Sequence, residues 1–164
     1  MQAMPKILLY SFLLSFVLVP VACGQVDQGK TLDLKYTSID GKTVDLSKMR
    51  GKVVLVDFWA TWCPVCVDEM PSVVAIYKKY HDRGFEIVGV SLNEDKGEML
   101  SFMKAAGMVW PQYFDGRGWD NKISTRFDVD VLPTMWLVGR DGKVVSTDAS
   151  YDLGVQVENA LKAP

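Results

Sequence analysis

The most strongly patterned part of the chain is an apolar run that leads into an amphipathic segment. Residues 52–58 read KVVLVDF, a short run rich in β-branched residues that is typical of a buried strand. After a corner at residues 59–62, apolar side chains recur three or four residues apart, as in a helix; they are Val67, Met70, Val74 and Tyr77. The pattern therefore predicts a buried strand followed by a helix, with Cys63 and Cys66 at the junction.

Shorter patterns on either side of this unit predict the remaining elements. Alternating apolar and polar residues around an Asp-Gly turn at 40–41 indicate an N-terminal β-hairpin. Further strands are predicted at 85–92, 109–114, 134–138 and 143–146, and further helices at 96–106, 118–127 and 153–163. The alternation of strands and helices predicts an α/β fold.

The first 22 residues differ in character from the rest of the chain. Lys6 precedes an apolar run at 7–22, which is short for a membrane-spanning helix and contains Pro20 near its end. This pattern is typical of an export signal, so residues 1–23 are interpreted as a signal peptide or lipoprotein signal.

Three fates of Cys23 remain open at this stage. The stretch before it loosely resembles the lipid-attachment motif of bacterial lipoproteins, in which Cys23 would carry the lipid. Cleavage after Gly24 would instead release the protein, and an uncleaved segment would act as a membrane anchor. In each case we expect residues 24–30 to form a polar linker and residues 31–164 to form one domain.

Composition excludes several classes of protein. A chain of 164 residues is about one domain long, and 18 Lys and Arg against 20 Asp and Glu without a basic cluster give no indication of a nucleic-acid partner. Three cysteines are too few for a disulfide scaffold and lack the second pair of ligands of a zinc site. No metal or cofactor is therefore expected.

The two cysteines at the junction point to redox chemistry. Pro64 suits the first position of a helix, where its missing N–H group loses no hydrogen bond, so Cys63 is expected at the N-cap. The positive end of the helix dipole favours a thiolate there, and a thiolate is the nucleophile in thiol–disulfide exchange. We expect Cys63 to attack, and Cys66 to close a disulfide with it or to resolve a mixed disulfide.

Two motifs resemble those of one protein family. Residues 59–66 read WATWCPVC and are followed by Glu69 and Pro71, while residues 126–138 read RFDVDVLPTMWLV. Together they resemble the TlpA/ResA-like family of extracytoplasmic thiol–disulfide oxidoreductases, members of the thioredoxin-fold superfamily. The resemblance implies a thioredoxin-like fold, which is a central mixed β-sheet flanked by helices, with an N-terminal β-hairpin and an inserted αβ element.

The resemblance also implies roles for two carboxylates. Asp57 matches an aspartate that acts in thioredoxins as a buried acid or base beside the resolving cysteine, and burial would raise its pKa. Glu69 matches a glutamate that tunes the acidity of the cysteines in ResA-like proteins. The alternatives are a paired or solvated Asp57 at a strand edge and an ordinary solvated Glu69, and which of the two carboxylates handles the proton stays open.

Client contacts are expected on the other side of the cysteines. Pro133 matches a proline that follows a cis peptide bond and packs beside the disulfide, and the backbone of Leu132 would pair with a bound partner. Trp62 is expected to shield the sulfurs and to present an apolar surface, although a core position is the alternative. Trp62, Pro64 and Leu132 are therefore the expected substrate-binding residues.

These expectations combine into one function. The protein would be exported to the periplasm or to the extracytoplasmic face of a bacterial membrane, where it exchanges electrons with protein disulfides. Val65 adds no positive charge between the cysteines, which mildly favours a reductant. The implied partners are client proteins with disulfides or thiols, such as apocytochrome c, and a membrane thiol that donates electrons.

Two other functions are alternatives. A thiol-dependent peroxidase shares the fold, but it needs a threonine three residues before its cysteine, and Ala60 occupies that position before Cys63. A non-catalytic adaptor would bind partners without exchange, and a Cys63→Ser variant with full biological activity would indicate it.

Overall fold

A five-stranded mixed β-sheet lies at the centre of the computed structural model, which describes residues 26–163. The predicted export signal and Cys23 lie outside the described residues. The strands are β1 (Lys35–Thr37), β2 (Thr43–Asp45), β3 (Val53–Trp59), β4 (Phe85–Ser91), β5 (Gln112–Tyr113), β6 (Thr134–Val138) and β7 (Val144–Ser146). The sheet has the order β5-β4-β3-β6-β7, and β1 pairs with β2 in a separate antiparallel hairpin.

Helices occupy the connections. The α-helices are α1 (Pro64–Tyr80), α2 (Lys96–Ala106), α3 (Lys122–Arg126) and α4 (Leu153–Lys162), and short 3-10 helices lie at Leu46–Lys48, His81–Arg83 and Gly118–Asp120. Pairing is parallel from β3 through β4 to β5 and antiparallel from β3 through β6 to β7. The predicted class is thus confirmed as a mixed α/β fold with an additional N-terminal hairpin.

The central strand is β3. It pairs with β4 on one side and with β6 on the other, and all seven of its side chains are buried. This double burial explains why its sequence is a continuous apolar run rather than an alternation of apolar and polar residues. Strand β3 ends at Trp59, four residues before Cys63, so the cysteines lie near the C-terminal end of the central strand.

Ring contacts show which helices cover which face of the sheet. Phe102 of α2 contacts Trp59, and Tyr77 of α1 contacts Phe85, with ring centroids 5.5 and 6.4 Å apart. Phe85 pairs with Val53 of β3, and both Val53 and Trp59 lie an even number of residues from Asp57. Since alternate side chains of a strand point to the same face, α1 and α2 cover the face that carries Asp57. Phe58 points to the opposite face, where it contacts Trp136 at 4.8 Å.

The N-terminal segment covers both outer strands of the sheet. Thr31 forms a bridge with Lys143, and Gly29 donates a backbone hydrogen bond to Val144 at the β7 edge. The β1–β2 hairpin lies at the other side, where the Ile39 N–H donates to the carbonyl of Gln112 in β5 at 2.9 Å. The end of the predicted linker at 24–30 is therefore hydrogen-bonded to the sheet.

Two predicted elements differ from those observed. The single helix predicted at 118–127 is wrong because Asn121 leaves the helical conformation, with φ −54° and ψ 130°. It caps α3 instead, its side chain accepting hydrogen bonds from the N–H groups of Ile123 and Ser124. The strand predicted at 109–114 is only β5, since Pro111 has no N–H group with which to extend the ladder.

The described helices also bear on membrane insertion. None of the helices within residues 26–163 combines the length and the apolar character that crossing a bilayer requires.

Replacing Gly89 with alanine should destabilise the sheet. A Cβ atom at Gly89 would lie 2.0 Å from Oε1 of Gln112, the atom that accepts the hydrogen bond from the buried indole of Trp59 at 2.9 Å. Displacing the amide combines overpacking with a lost buried hydrogen bond, so we expect Gly89→Ala to lower the free energy of unfolding by roughly 2–4 kcal/mol.

Denaturant unfolding of the full-length chain would measure this loss. Gly154→Ala in α4 is the matched control, because its added Cβ would meet Ile76 at an ordinary 3.7 Å, and its stability should stay within about 1 kcal/mol of the parent. Equal stability of the two variants would contradict the expectation.

Candidate active site

The two cysteines lie at the N-terminus of α1 and form a disulfide. Cys63 is the N-cap residue, with extended backbone angles, and Pro64 is the first helical residue, as predicted. The Cα atoms of Cys63 and Cys66 are 5.3 Å apart, and the backbone N–H of Cys66 donates to Sγ of Cys63 at 3.2 Å. The sulfur of Cys63 thus occupies the position in which a helix terminus stabilises negative charge.

Both sulfur-bearing side chains are largely buried in this disulfide state. Cys63 is 6% exposed and Cys66 is 2% exposed, so Cys63 is slightly the more accessible of the two. Pro64 and Val65, which separate them, are exposed. A partner would therefore meet the outer surface of this turn before it reaches the sulfur of Cys63.

A cis peptide bond joins Leu132 to Pro133, as the resemblance implied. Thr134, the next residue, begins β6 and pairs with Phe58 near the end of β3. The turn that contains Pro133 therefore lies at the same end of the central strands as the cysteines. Leu132 is half-buried, and its neighbour Val131 is exposed.

Asp57 is completely buried in the middle of the central sheet. It lies on β3 between Gly89 of β4 and Met135 of β6, on the face that α1 covers. Neither of its carboxylate oxygens has a hydrogen-bond partner within residues 26–163. Burial, and secondarily the charge of Glu69, raise the pKa of Asp57 to about 7, so this group can gain or lose a proton at neutral pH. The alternative of a solvated Asp57 is therefore wrong.

Glu69 lies two turns into α1 and is half-buried. Partial burial, and secondarily the charge of Asp148, raise the pKa of this carboxyl. Glu69 also lines a cavity of about 390 Å³ that extends to Met135, the neighbour of Asp57 on the sheet. The structure therefore brings both predicted carboxylates to one side of the cysteine helix.

Asp148 is an addition that the sequence did not indicate. It lies in the loop before α4, 79 residues after Glu69, and it carries no local motif. The packing of α4 against α1 and a hydrogen bond from the N–H of Ala149 to the carbonyl of Met135 at 2.9 Å hold that loop close enough for the charge of Asp148 to act on Glu69.

A second tryptophan accompanies Trp62. Trp62 is 45% exposed, which confirms a surface position and excludes the core alternative. Its ring lies 5.6 Å from that of Trp119, which is 47% exposed and belongs to the 3-10 helix at Gly118–Asp120. Trp119 was not among the predicted site residues; the available signal was an aromatic residue directly after a glycine-rich turn at 116–118.

Other features of the described chain lie away from the cysteines or do not suggest ligation. A cavity of about 510 Å³ between the β1–β2 hairpin and the edge of β4 includes none of the predicted site residues. Among residues 26–163, no three His, Cys, Asp or Glu side chains are grouped so that they could hold a metal ion.

Comparisons with known proteins agree with this geometry. The Redoxin family model matches residues 25–163. The chain is 35% identical over 126 residues to the thiol-disulfide oxidoreductase ResA of Bacillus thuringiensis, which covers 77% of this chain and 71% of that protein. It is 39% identical over 106 residues to ResA of Bacillus subtilis, which covers 65% of this chain and 58% of that one.

A solved structure gives the same result at the level of the fold. The thioredoxin domain of a thiol-disulfide oxidoreductase from Bacteroides vulgatus superimposes with a TM-score of 0.73 at 26% identity. The superposition covers 84% of this chain and the whole of that domain.

The buried carboxyl of Asp57 should make stability depend on pH. Its pKa is about 7 in the folded protein and about 3.9 in an unfolded chain, so the folded state binds more protons between these values. Stability is therefore greatest below about pH 4 for this group and falls as pH rises to about 7, by an amount on the order of 4 kcal/mol. Asp57→Asn should remove this decline.

Denaturant unfolding of the oxidised full-length chain at intervals from pH 4 to pH 9 would measure the effect. The informative quantity is the difference between parent and variant, because other titrating groups cancel. Asp82→Asn, at an exposed aspartate in the His81–Arg83 turn, is the control and should leave the profile unchanged. Parallel profiles for parent and Asp57→Asn would refute the assignment.

Proposed function

Because the chain belongs to the Redoxin family and is a thioredoxin-like thiol-disulfide oxidoreductase, we propose that it reduces disulfides of client proteins outside the cytoplasm. The observation that carries the proposal is the Cys63–Cys66 disulfide at the N-terminus of α1, at the same end of the central strands as the Leu132–Pro133 turn.

The proposed reaction begins with the Cys63 thiolate. It attacks one sulfur of a client disulfide, so that a Cys63–client disulfide forms and the other client sulfur leaves as a thiolate, which takes up a proton. The helix terminus and the N–H of Cys66 support the thiolate at Cys63. The Cys66 thiolate then attacks Cys63, closes the protein disulfide and releases the second client thiolate. Two electrons pass to the client.

Asp57 is the proposed proton acceptor for Cys66. Its pKa of about 7 suits a group that must take a proton from a thiol and later return it at neutral pH. It also lies on the sheet face that α1 covers. Glu69 has a secondary role in this proposal, because its charge helps to raise the pKa of Asp57.

The proposed client-binding site consists of four residues, which are Pro133, Leu132, Trp62 and Pro64. The exposed positions of Trp62 and Pro64 next to Cys63, together with the location of the Leu132–Pro133 turn, support this role. An extended client segment would pair with the backbone at Leu132 while its cysteine approaches Cys63.

The proposed location rests on the first residues of the sequence. Lys6 and the apolar run at 7–22 support export, and the context of Cys23 supports attachment to a bacterial membrane by a lipid. Residues 24–30 would link the anchor to the domain. An intact-mass measurement on protein purified from both the membrane and the soluble fractions would distinguish a lipidated Cys23 from cleavage after Gly24 and from an uncleaved chain.

We propose that electrons flow from this protein to its clients. The uncharged Pro64-Val65 pair between the cysteines supports a reductant that receives electrons from a membrane thiol donor. Haem-site cysteines of apocytochrome c are one client class that such a reductant would serve.

A peroxidase function has less support. Ala60 is buried and cannot supply the hydroxyl that a threonine three residues before the cysteine would provide. Consumption of hydrogen peroxide by the reduced chain, at a rate that exceeds disulfide exchange, would favour the peroxidase instead.

A redox titration against defined glutathione ratios tests the direction. We expect a midpoint near or below about −250 mV, as for thioredoxin-like reductants, measured on the full-length chain by quantifying the Cys63–Cys66 disulfide. A midpoint near about −120 mV would instead indicate a disulfide donor. The absence of a reversible transition would overturn the redox assignment itself.

A trapping experiment tests the order in which the cysteines react. In a Cys23→Ser background, Cys66→Ser should accumulate a mixed disulfide with a model disulfide protein, because the resolving thiol is missing. Cys63→Ser in the same background should form none, and non-reducing electrophoresis would compare the two. Equal trapping by both variants would contradict the assignment of Cys63 as the attacking residue.

A further inference from the structure

We propose that Trp119 and Trp62 together form a client-binding surface that selects substrates with an aromatic or other large apolar side chain next to the reactive cysteine. We call these two residues the indole pair. The inference rests on the proposed function, and it adds a specificity-determining residue, Trp119, from a loop distant in sequence from the cysteines.

The indole pair joins a distant loop to the residue that precedes the attacking cysteine. Trp62 precedes Cys63, and the ring of Trp119 lies 5.6 Å from that of Trp62. Both side chains remain nearly half exposed, and Val65 on the outer side of the cysteine turn is 52% exposed. Large exposed apolar side chains at one place mark an interaction surface rather than chance exposure.

Trp62 is held in position by hydrogen bonds to the segment that follows β4. Its indole N–H donates to the carbonyl of Leu92 at 3.3 Å. The preceding Thr61 donates its N–H to Oδ1 of Asn93 at 3.2 Å, and its hydroxyl contacts both the Asn93 amide and the Glu98 carboxylate. These contacts restrict the orientation of the ring although its face is open to solvent.

A separate network holds the loop of Trp119. Asp115 accepts hydrogen bonds from the backbone of Arg117 and Lys122 at 3.2 and 2.9 Å, and from the Asn121 amide at 3.3 Å. The same Asn121 amide donates to the carbonyl of Ser91 at 3.2 Å.

Gly118 fixes the last bend before the Trp119 ring. Its φ of +55° lies in the left-handed region, and a Cβ atom there would meet Oε1 of Glu94 at 2.7 Å. The loop that carries Trp119 therefore packs against residues 91–94, the segment that also anchors Trp62.

Preorganisation of this kind suits recognition of a polypeptide. Two aromatic rings that are already oriented lose little conformational entropy when a partner covers them, and buried tryptophans dominate the energetics of many interfaces. Since the pair adjoins Cys63, the segment that covers it is the part of the client that carries the reactive sulfur. Two adjacent indole faces favour an aromatic or large aliphatic side chain.

Three disulfide-bonded peptides would test the selection. They are identical except that the residue next to the reactive cysteine is Phe, Ser or Lys, and the readout is the second-order rate constant of peptide thiol release by the reduced full-length chain carrying Cys23→Ser. We expect the Phe peptide to react about tenfold faster than the Ser peptide.

Variants at Trp119 assign the preference to this residue. Trp119→Ala should bring the Phe and Ser peptides within about twofold of each other, whereas Trp119→Phe should retain most of the preference because it keeps a ring. Tyr151→Ala, which removes a more exposed aromatic side chain from the loop before α4, should leave the ratio unchanged. The ratio is independent of the fraction of active protein, so partial misfolding of a variant does not affect it.

The outcomes separate this inference from the function on which it rests. Reaction of the Phe and Ser peptides at equal rates with the parent, or an unchanged ratio in Trp119→Ala, would overturn the role of Trp119. Faster reaction of the Lys peptide than of the Phe peptide would overturn the apolar selection in favour of a cationic partner. If the parent reduces none of the three peptides, the proposed function would be overturned instead.

Discussion

The burial of β3 between β4 and β6 is the constraint on which the rest of the structure depends. A strand covered on both faces can hold only side chains that tolerate a dry environment, and six of its seven residues are apolar. The seventh, Asp57, is held there by the same pairing and cannot reach solvent. The fold therefore pushes the pKa of Asp57 towards neutrality and presents it on the side of the sheet where α1 carries the cysteines.

The end of β4 and the segment after it hold the surface around the cysteines in place. Leu92 donates its N–H to the carbonyl of Trp59 at 2.9 Å, so the ends of β3 and β4 stay together beyond the regular ladder. From there Ser91 and Asn93 reach Asn121 and Thr61. The sulfurs depend on the helix and the central strand, whereas the surrounding surface depends on this polar segment. In the proposed mechanism, electron transfer and client recognition would thus have separate structural supports.

Local signals made much of the fold and of the cysteine site predictable from the sequence. The apolar run of β3 and the proline after Cys63 define a strand and a helix start within a few residues, and the two motifs pointed to the family and to the cis bond at Pro133. The contact of Trp119 with Trp62 and the effect of Asp148 on the pKa of Glu69 were not predictable, since each joins residues far apart in sequence. The helix expected at 118–127 failed for a local reason, because Asn121 is a stronger cap than a helix-interior residue.

The coverage of both outer strands has a consequence for how this protein coexists with its clients. Proteins that await disulfide rearrangement are incompletely folded, and their extended segments can add to any exposed sheet edge. Here Thr31 occupies part of the β7 edge and the hairpin at Ile39 occupies the β5 edge. The N-terminal segment therefore leaves less of the two outer strands open to non-specific strand addition. Under the proposed function, client chains would pair instead at the turn of Leu132 and Pro133, where the cysteines lie within reach.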